Sequence, residues 1–160
     1  DAIGLKILSH FNPKEKLVFT KKARHLNGYT KTNNVILEAT ENPYLKPVYL
    51  LIGNGSASAT EIMTLSSLEL DNFKTIGGNT SGVFSDVLDK SLPNGWEFGL
   101  SSEVYLDLKG NNYEGIGIAP DFEIGYERDT QKFLQRVVAD LEDGGDQCIR
   151  KALELIESSN

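Results

Sequence analysis

The chain has 160 residues, of which 39% are apolar and 24% charged. This is enough for one domain with a real hydrophobic core, too little to suggest two, and not the composition of a disordered chain. A formal net charge of -7 at pH 7 argues against nucleic-acid binding, which needs a surplus of Lys and Arg. The acids are spread along the chain and read as solvated surface. The single cysteine, Cys148, excludes an internal disulfide and a Cys-rich metal site, and no stretch approaches the length of a membrane span. The sequence opens at Asp1 straight into a helical pattern without a leader, and we expect it to be an excised part of a longer polypeptide.

In chain order, Ile3, Leu5, Ile7, Leu8 and Phe11 are spaced like one face of a short helix that Asn12-Pro13 ends. Leu17 to Thr20 reads as a strand. The basic, polar stretch from Lys21 to Asn34 predicts a long loop or irregular hairpin. Pro47 to Ile52 is a continuous apolar run, the pattern of a strand buried on both faces. A Gly53-Asn54-Gly55 turn leads into a helix from about Ala59 to Leu70 with Ile62, Leu65 and Leu68 inward. Residues 73–77 form another strand. Further β segments are expected at 84–88, 96–100 and 104–108, separated by turn signals at Pro93-Asn94-Gly95 and Gly110-Asn111-Asn112. Asp129 is expected to cap a helix with core positions Phe133, Leu134, Val137, Val138 and Leu141, which Gly144-Gly145 stops. Asp146 then recaps a last helix packed through Ile149, Ala152, Leu153 and Ile156, with Cys148 buried beside them. The class is α/β with mixed sheets; periodicity alone does not select a fold.

The informative stretch is Tyr49 to Glu61. A serine between a buried strand and a helix start is held by rigid elements, and the helix N-terminus offers unpaired N–H groups and partial positive charge to a developing oxyanion. Small neighbours, Ala57 and Ala59, would let a peptide carbonyl approach. Ser58-Ala59-Thr60-Glu61 is equally a capping box, with Ser58 capping the helix and Glu61 reaching back. On local chemistry the cap is the simpler reading, and the two stay open.

Ser56-Ala57-Ser58-Ala59-Thr60-Glu61 after an apolar strand resembles the nucleophile motif of the C-terminal processing (tail-specific) serine proteases. The similarity continues in order through Gly77-Gly78-Asn79-Thr80-Ser81-Gly82, Leu92-Pro93-Asn94-Gly95 and Tyr113 to Asp121, covering about Val48 to Ile124. The resemblance implies a ClpP/crotonase-like α/β core with mixed sheets and flanking helices, of which this chain would be the C-terminal part: core about 1–127, helices about 129–158. It implies Ser58 as nucleophile, the Ala59 N–H as oxyanion donor, and Gly55, Thr80, Ser81 and Gly82 along the substrate. No cofactor and no metal are implied. The partner would be a polypeptide substrate. The resemblance implies export to the periplasm, the cell surface or outside, with the cytoplasm as the alternative, and a homo-oligomer is compatible with these residues.

One branch of that family uses a Ser-Lys dyad, and the position expected for its lysine is Val83 here, so the dyad is disfavoured. Lys74 and Lys90 read as surface lysines. The other branch resembles the tricorn core, where a His takes the serine proton and a carboxylate orients it; Glu114 falls where that carboxylate is placed. That branch's His lies upstream of residue 1, as does a second oxyanion donor, for which Gly4 is a poor substitute. His10 is expected to be a partly buried helix residue and His25 an exposed one. By itself the chain is therefore expected to be inactive. The basic stretch Lys21 to Lys31 could meet a substrate carboxylate. Two rivals share the core: a non-catalytic binding relative that has lost the base, and a crotonase-type acyl-CoA enzyme indifferent to Ser58→Ala.

Overall fold

The computed structural model describes residues 2–125, 130–142 and 145–158. Two larger sheets and a two-stranded one lie within the first 125 residues. In the larger antiparallel sheet, β1 (Lys16–His25) is central and pairs with β3 (Asn33–Leu37) and with β8 (Glu103–Leu106). β2 (Gly28–Tyr29) returns from the tip of β1, so of the two alternatives expected for 21–34 the hairpin is the one formed, and β1 runs on through Lys21 and Lys22. Lys21 and Lys22 tolerate a strand because long cationic side chains can lie their stems along a sheet surface and keep their charge wet. Lys21 reaches Glu103 at 3.1 Å, and Lys22 and Arg24 lie over the Tyr29 ring. The Lys21 charge is thus partnered within the sheet.

The parallel sheet has the order β4 (Val48–Ile52), β5 (Phe73–Gly77), β9 (Phe122–Glu123). α2 (Ala59–Ser67) makes the crossover from β4 to β5. β4 is an edge of this sheet among the described residues, so of its apolar run only Ile52 is fully buried and Leu51 is exposed. The core joins both sheets: Leu8, Val18, Phe19, Leu37, Ile62, Leu65, Phe73, Phe84, Tyr105 and Ile118 are buried together.

α1 (Ala2–Ser9) crosses α2, and a Cβ on Gly4 would sit 3.0 Å from Met63 Cβ. The expected apolar face of α1 is narrower than its sequence suggests. Leu8 is buried, and Leu5 and Phe11 pack on the core, while Ile3 and Ile7 are exposed. Leu68, the C-cap of α2, also faces out, and within α2 Glu61, Thr64 and Ser66 are buried in place of a longer apolar stripe. Of the later β segments, those expected at 96–100 and 104–108 form close to their expected positions, while the one expected at 84–88 starts three residues later. β6 (Val87–Ser91) and β7 (Glu97–Ser101) form a separate exposed hairpin, and Phe84 lies in a loop.

α3 (Thr130–Glu142) leaves Leu134, Val138 and Leu141 exposed, contrary to the expected core, and the side chain of Phe133 lies outside the described residues, as do Asp129 and Gly144. α4 (Gln147–Ser158) is capped as expected, with the Cys148 N–H donating to Asp146 Oδ1 at 2.7 Å. Its buried position is Cys148, while Ile149, Leu153 and Ile156 are exposed. Among the described residues no helix is long and apolar enough to cross a membrane.

Candidate active site

In a parallel sheet the connections leaving the C-terminal strand ends converge on one edge, where binding sites form. β4 runs out into the turn that carries Ser58, and β5 runs out into residues 78–85, so these two segments meet beside the start of α2. The meeting is made of backbone hydrogen bonds. Ser81 N–H donates to Ser56 O at 2.9 Å, and Ser58 N–H donates to Val83 O at 2.8 Å.

Ser58 has φ 54 and ψ -123, one of two non-glycine residues with positive φ among the described residues, the other being Leu26. An L-residue there is strained by about 1–3 kcal/mol. The residue is exposed, and its side chain makes no cap hydrogen bond. Ser58 O accepts from Glu61 N–H (2.8 Å) and Ile62 N–H (3.1 Å), so the helix starts on its carbonyl while the hydroxyl stands free. The N–H of Ala59 has no acceptor among the described residues. A free hydroxyl and a free amide thus share one helix start.

The capping box is not formed. Glu61 turns away from the Ser58 N–H, and its carboxylate accepts from Gly82 N–H (Oε1, 2.7 Å) and Val83 N–H (Oε2, 2.6 Å) in a fully buried position. Sequence reasoning missed this role. The available signal was that Glu61 lies four residues before Leu65, on the inward stripe of α2, where a carboxylate must find donors inside the protein.

Glu114 takes the next two amides of the same loop. Its Oε2 accepts from Phe84 N–H and Ser85 N–H, each at 3.0 Å. Oε1 has no donor among the described residues. Four consecutive amides, residues 82–85, are therefore divided between two carboxylates. Glu114 is exposed as a residue, but it is not the merely solvated side chain that a position after a Gly-Asn-Asn turn would suggest.

The loop bearing Glu114 is itself locked. Thr80 N–H donates to Ile118 O (3.0 Å), Ile118 N–H donates to the buried Thr80 Oγ1 (2.7 Å), and Gly115 N–H donates to Gly82 O (2.7 Å). The approach is so close that a Cβ on Gly82 would meet Ile116 N at 2.7 Å, and one on Gly117 would meet Thr80 O at 2.1 Å. Of the residues expected along the substrate, Thr80 and Gly82 are buried in this contact, Ser81 is half-buried and Gly55 is exposed.

Beneath lie Phe84, Tyr105 and Tyr113, with ring centroids 6.3–6.4 Å apart. Tyr105 donates to Glu103 at 2.5 Å, and Ser85 Oγ accepts from Glu103 N–H at 2.9 Å. Burial, and then the bond to Glu103, push the Tyr105 hydroxyl well above its usual range. For Glu103, burial raises the carboxyl, but the bonds from Tyr105 and Lys21 outweigh it and hold the group low.

Asp107 anchors the Glu114 loop from below, accepting from Asn111 (side chain 2.8 Å, N–H 2.7 Å), Tyr113 OH (3.0 Å) and Lys109 N–H (2.9 Å). Burial opposes its ionisation, and these bonds outweigh the burial, so the carboxyl titrates below the usual aspartate range. A depressed folded value contributes stability above the unfolded pKa of about 3.9. That contribution is lost as pH falls through the lower folded value. Asp107→Asn should therefore flatten the acid limb of a plot of stability against pH, as read by urea melts at pH 7 and in stepwise acidification; an unchanged acid limb would contradict the anchor.

Neither histidine reaches the site. His10 is exposed just beyond α1, not partly buried as expected, and His25 is exposed at the end of β1. Val83 is exposed and uses its backbone alone. Lys74 makes an exposed pair with Asp121 at 3.5 Å, and Lys90 is exposed on the β6–β7 hairpin. Among the described residues no group of three or more His, Cys, Asp or Glu side chains could hold a metal ion.

Solved structures of the same fold include those of proteases. A candidate peptidase from Parabacteroides merdae is 26% identical with a TM-score of 0.79, over 95% of this chain and 46% of that one. The photosystem II D1 C-terminal processing protease is 17% identical with a TM-score of 0.57, over 84% of this chain and 34% of that one. The tricorn protease is 16% identical with a TM-score of 0.61, over 99% of this chain and 14% of that one. The fold is thus the one that these peptidases share. The chain belongs to peptidase family S41, whose model matches residues 2–124. It spans less than half the length of each of these three structures. No curated protein matches the sequence.

Proposed function

We propose that this chain carries the nucleophile of a serine peptidase. Ser58 Oγ attacks the scissile carbonyl carbon, its proton passing to a histidine supplied by a segment outside residues 1–160. The carbonyl oxygen becomes an oxyanion and accepts from the Ala59 N–H. The C–N bond breaks, the histidine protonates the leaving amine, and an ester remains on Ser58. Water, deprotonated by the same base, releases the acid and restores the hydroxyl. Glu114, with one carboxylate oxygen fixed by two amides and the other open, orients the imidazole. Losing one oxyanion donor typically slows such a reaction about 10²–10³-fold.

The observation that carries this reading is the backbone of Ser58: a strained conformation that leaves both its hydroxyl and the neighbouring amide without a partner among the described residues. A merely capping serine has no need of either. The second reading, a non-catalytic peptide- or ligand-binding relative, is favoured by the exposure of both histidines away from Ser58 and Glu114. A fluorophosphonate probe on the full-length polypeptide separates the two. Covalent label mapped to the Ser58 peptide and lost in Ser58→Ala supports the peptidase; an intact, folded polypeptide that takes no label supports the binding relative.

A further inference from the structure

We infer that Glu61 is a positioning residue that holds Ser58 in its left-handed conformation through the amides of residues 82 and 83. Its consequence for catalysis rests on the peptidase reading; the geometry does not. Glu61 is 0% exposed, yet it makes no ion pair with a Lys or Arg among the described residues. Burying an uncompensated carboxylate costs several kcal/mol. Two short charge-assisted bonds to amides and the N-terminal end of α2 offset that cost here. Nothing in building α2 calls for a carboxylate at this position, since an apolar residue on the inward stripe would serve the helix equally well. Its bonds reach only the loop that carries the acceptor for Ser58.

The contacts close a ring. Glu61 fixes the Gly82 and Val83 amides, Val83 O accepts from Ser58 N–H at 2.8 Å, and Ser58 O accepts from Glu61 N–H at 2.8 Å. The backbone of Val83 is thus held on both sides, its N–H by Glu61 Oε2 and its O by the Ser58 N–H. Releasing the carboxylate frees the carbonyl that favours the strained φ of Ser58. The serine then relaxes toward an ordinary helix-cap conformation, and its hydroxyl leaves the position beside the Ala59 amide. The same loop continues to Phe84 and Ser85, which hold Glu114, so both groups of the site shift together.

The test uses the full-length polypeptide carrying Glu61→Gln, which turns one acceptor into a donor facing an amide, and Glu61→Asp, which keeps the charge but is one methylene short. Fluorophosphonate labelling is resolved into the bimolecular affinity and the maximal labelling rate, and amide hydrogen exchange is followed at Ser58 and residues 82–85. In Glu61→Gln the maximal rate should fall about 10²-fold, the cost of a displacement near 1 Å. Probe affinity should hold, and the Ser58 and Val83 amides should exchange faster. Glu61→Asp should lie between. A merely structural role would lower the melting temperature without splitting rate from affinity. Wild-type labelling in Glu61→Gln, or unchanged exchange at Ser58, overturns the inference. If Glu61→Gln gives no cooperative melt, Glu61→Asp decides by the same readouts. If the wild-type polypeptide takes no label, the peptidase reading fails, and exchange at Ser58 alone still decides whether Glu61 holds it.

Discussion

Replacing Ser58 by glycine should make the protein more stable while abolishing covalent labelling. At φ 54 and ψ -123 a serine carries strain of about 1–3 kcal/mol, which glycine does not. The greater freedom of glycine in the unfolded chain offsets about 0.4–1 kcal/mol of that relief. The net gain should be about 1 kcal/mol, or roughly 2–4 °C in the thermal midpoint of a domain this size. Ser58→Ala provides the contrast. It loses the label equally but keeps the strain, and because the hydroxyl makes no hydrogen bond among the described residues, its midpoint should stay near that of the wild type. Thermal melts of the three proteins by circular dichroism check both halves. A Ser58→Gly midpoint below that of Ser58→Ala would mean the turn stores no strain.

The second large effect is expected at Gly117. With φ +80 and a hypothetical Cβ only 2.1 Å from the carbonyl oxygen of Thr80, the obstacle is backbone, not a side chain that can swing aside. Gly117→Ala should cost about 3 kcal/mol from overpacking and the disfavoured φ. The displaced contact contains both Thr80–Ile118 bonds and the Gly115–Gly82 bond, so label at Ser58 should also be reduced. Gly28→Ala is the control: nothing lies within 4 Å of that position, and the change should stay within about 0.5 kcal/mol. Urea melts give the comparison, and equal costs at the two positions would disprove the close approach.

What the sequence revealed follows a physical divide. Local punctuation was readable: β5, the Asp146 cap, the turn after β4 and the burial of Cys148 follow from nearest neighbours and short-range hydrogen bonding. Where partners distant in sequence decide, local reading fails. Lys21 and Lys22 look like loop residues until β8 supplies Glu103 and Tyr105. Leu134 and Leu141 have helical spacing, but the described residues place nothing over them. Glu61 shows the divide within the site. Its position after Ser58 fits a capping box, and only the arrival of residues 82–83 from beyond β5 turns it elsewhere. Glu114 was located by resemblance to a family motif, not by chemistry that can be read from its neighbours.

The even sharing of residues 82–85 between two acids also constrains how this segment can vary. What the site depends on there is spacing along the main chain, so Val83, whose side chain points outward, can change its chemistry with little consequence for either acid. Inserting or deleting a single residue is different in kind. It would slip every donor by one place, offer Glu61 and Glu114 the wrong amides, and misalign both at once. Substitutions at this position should thus be common where changes of length are rare.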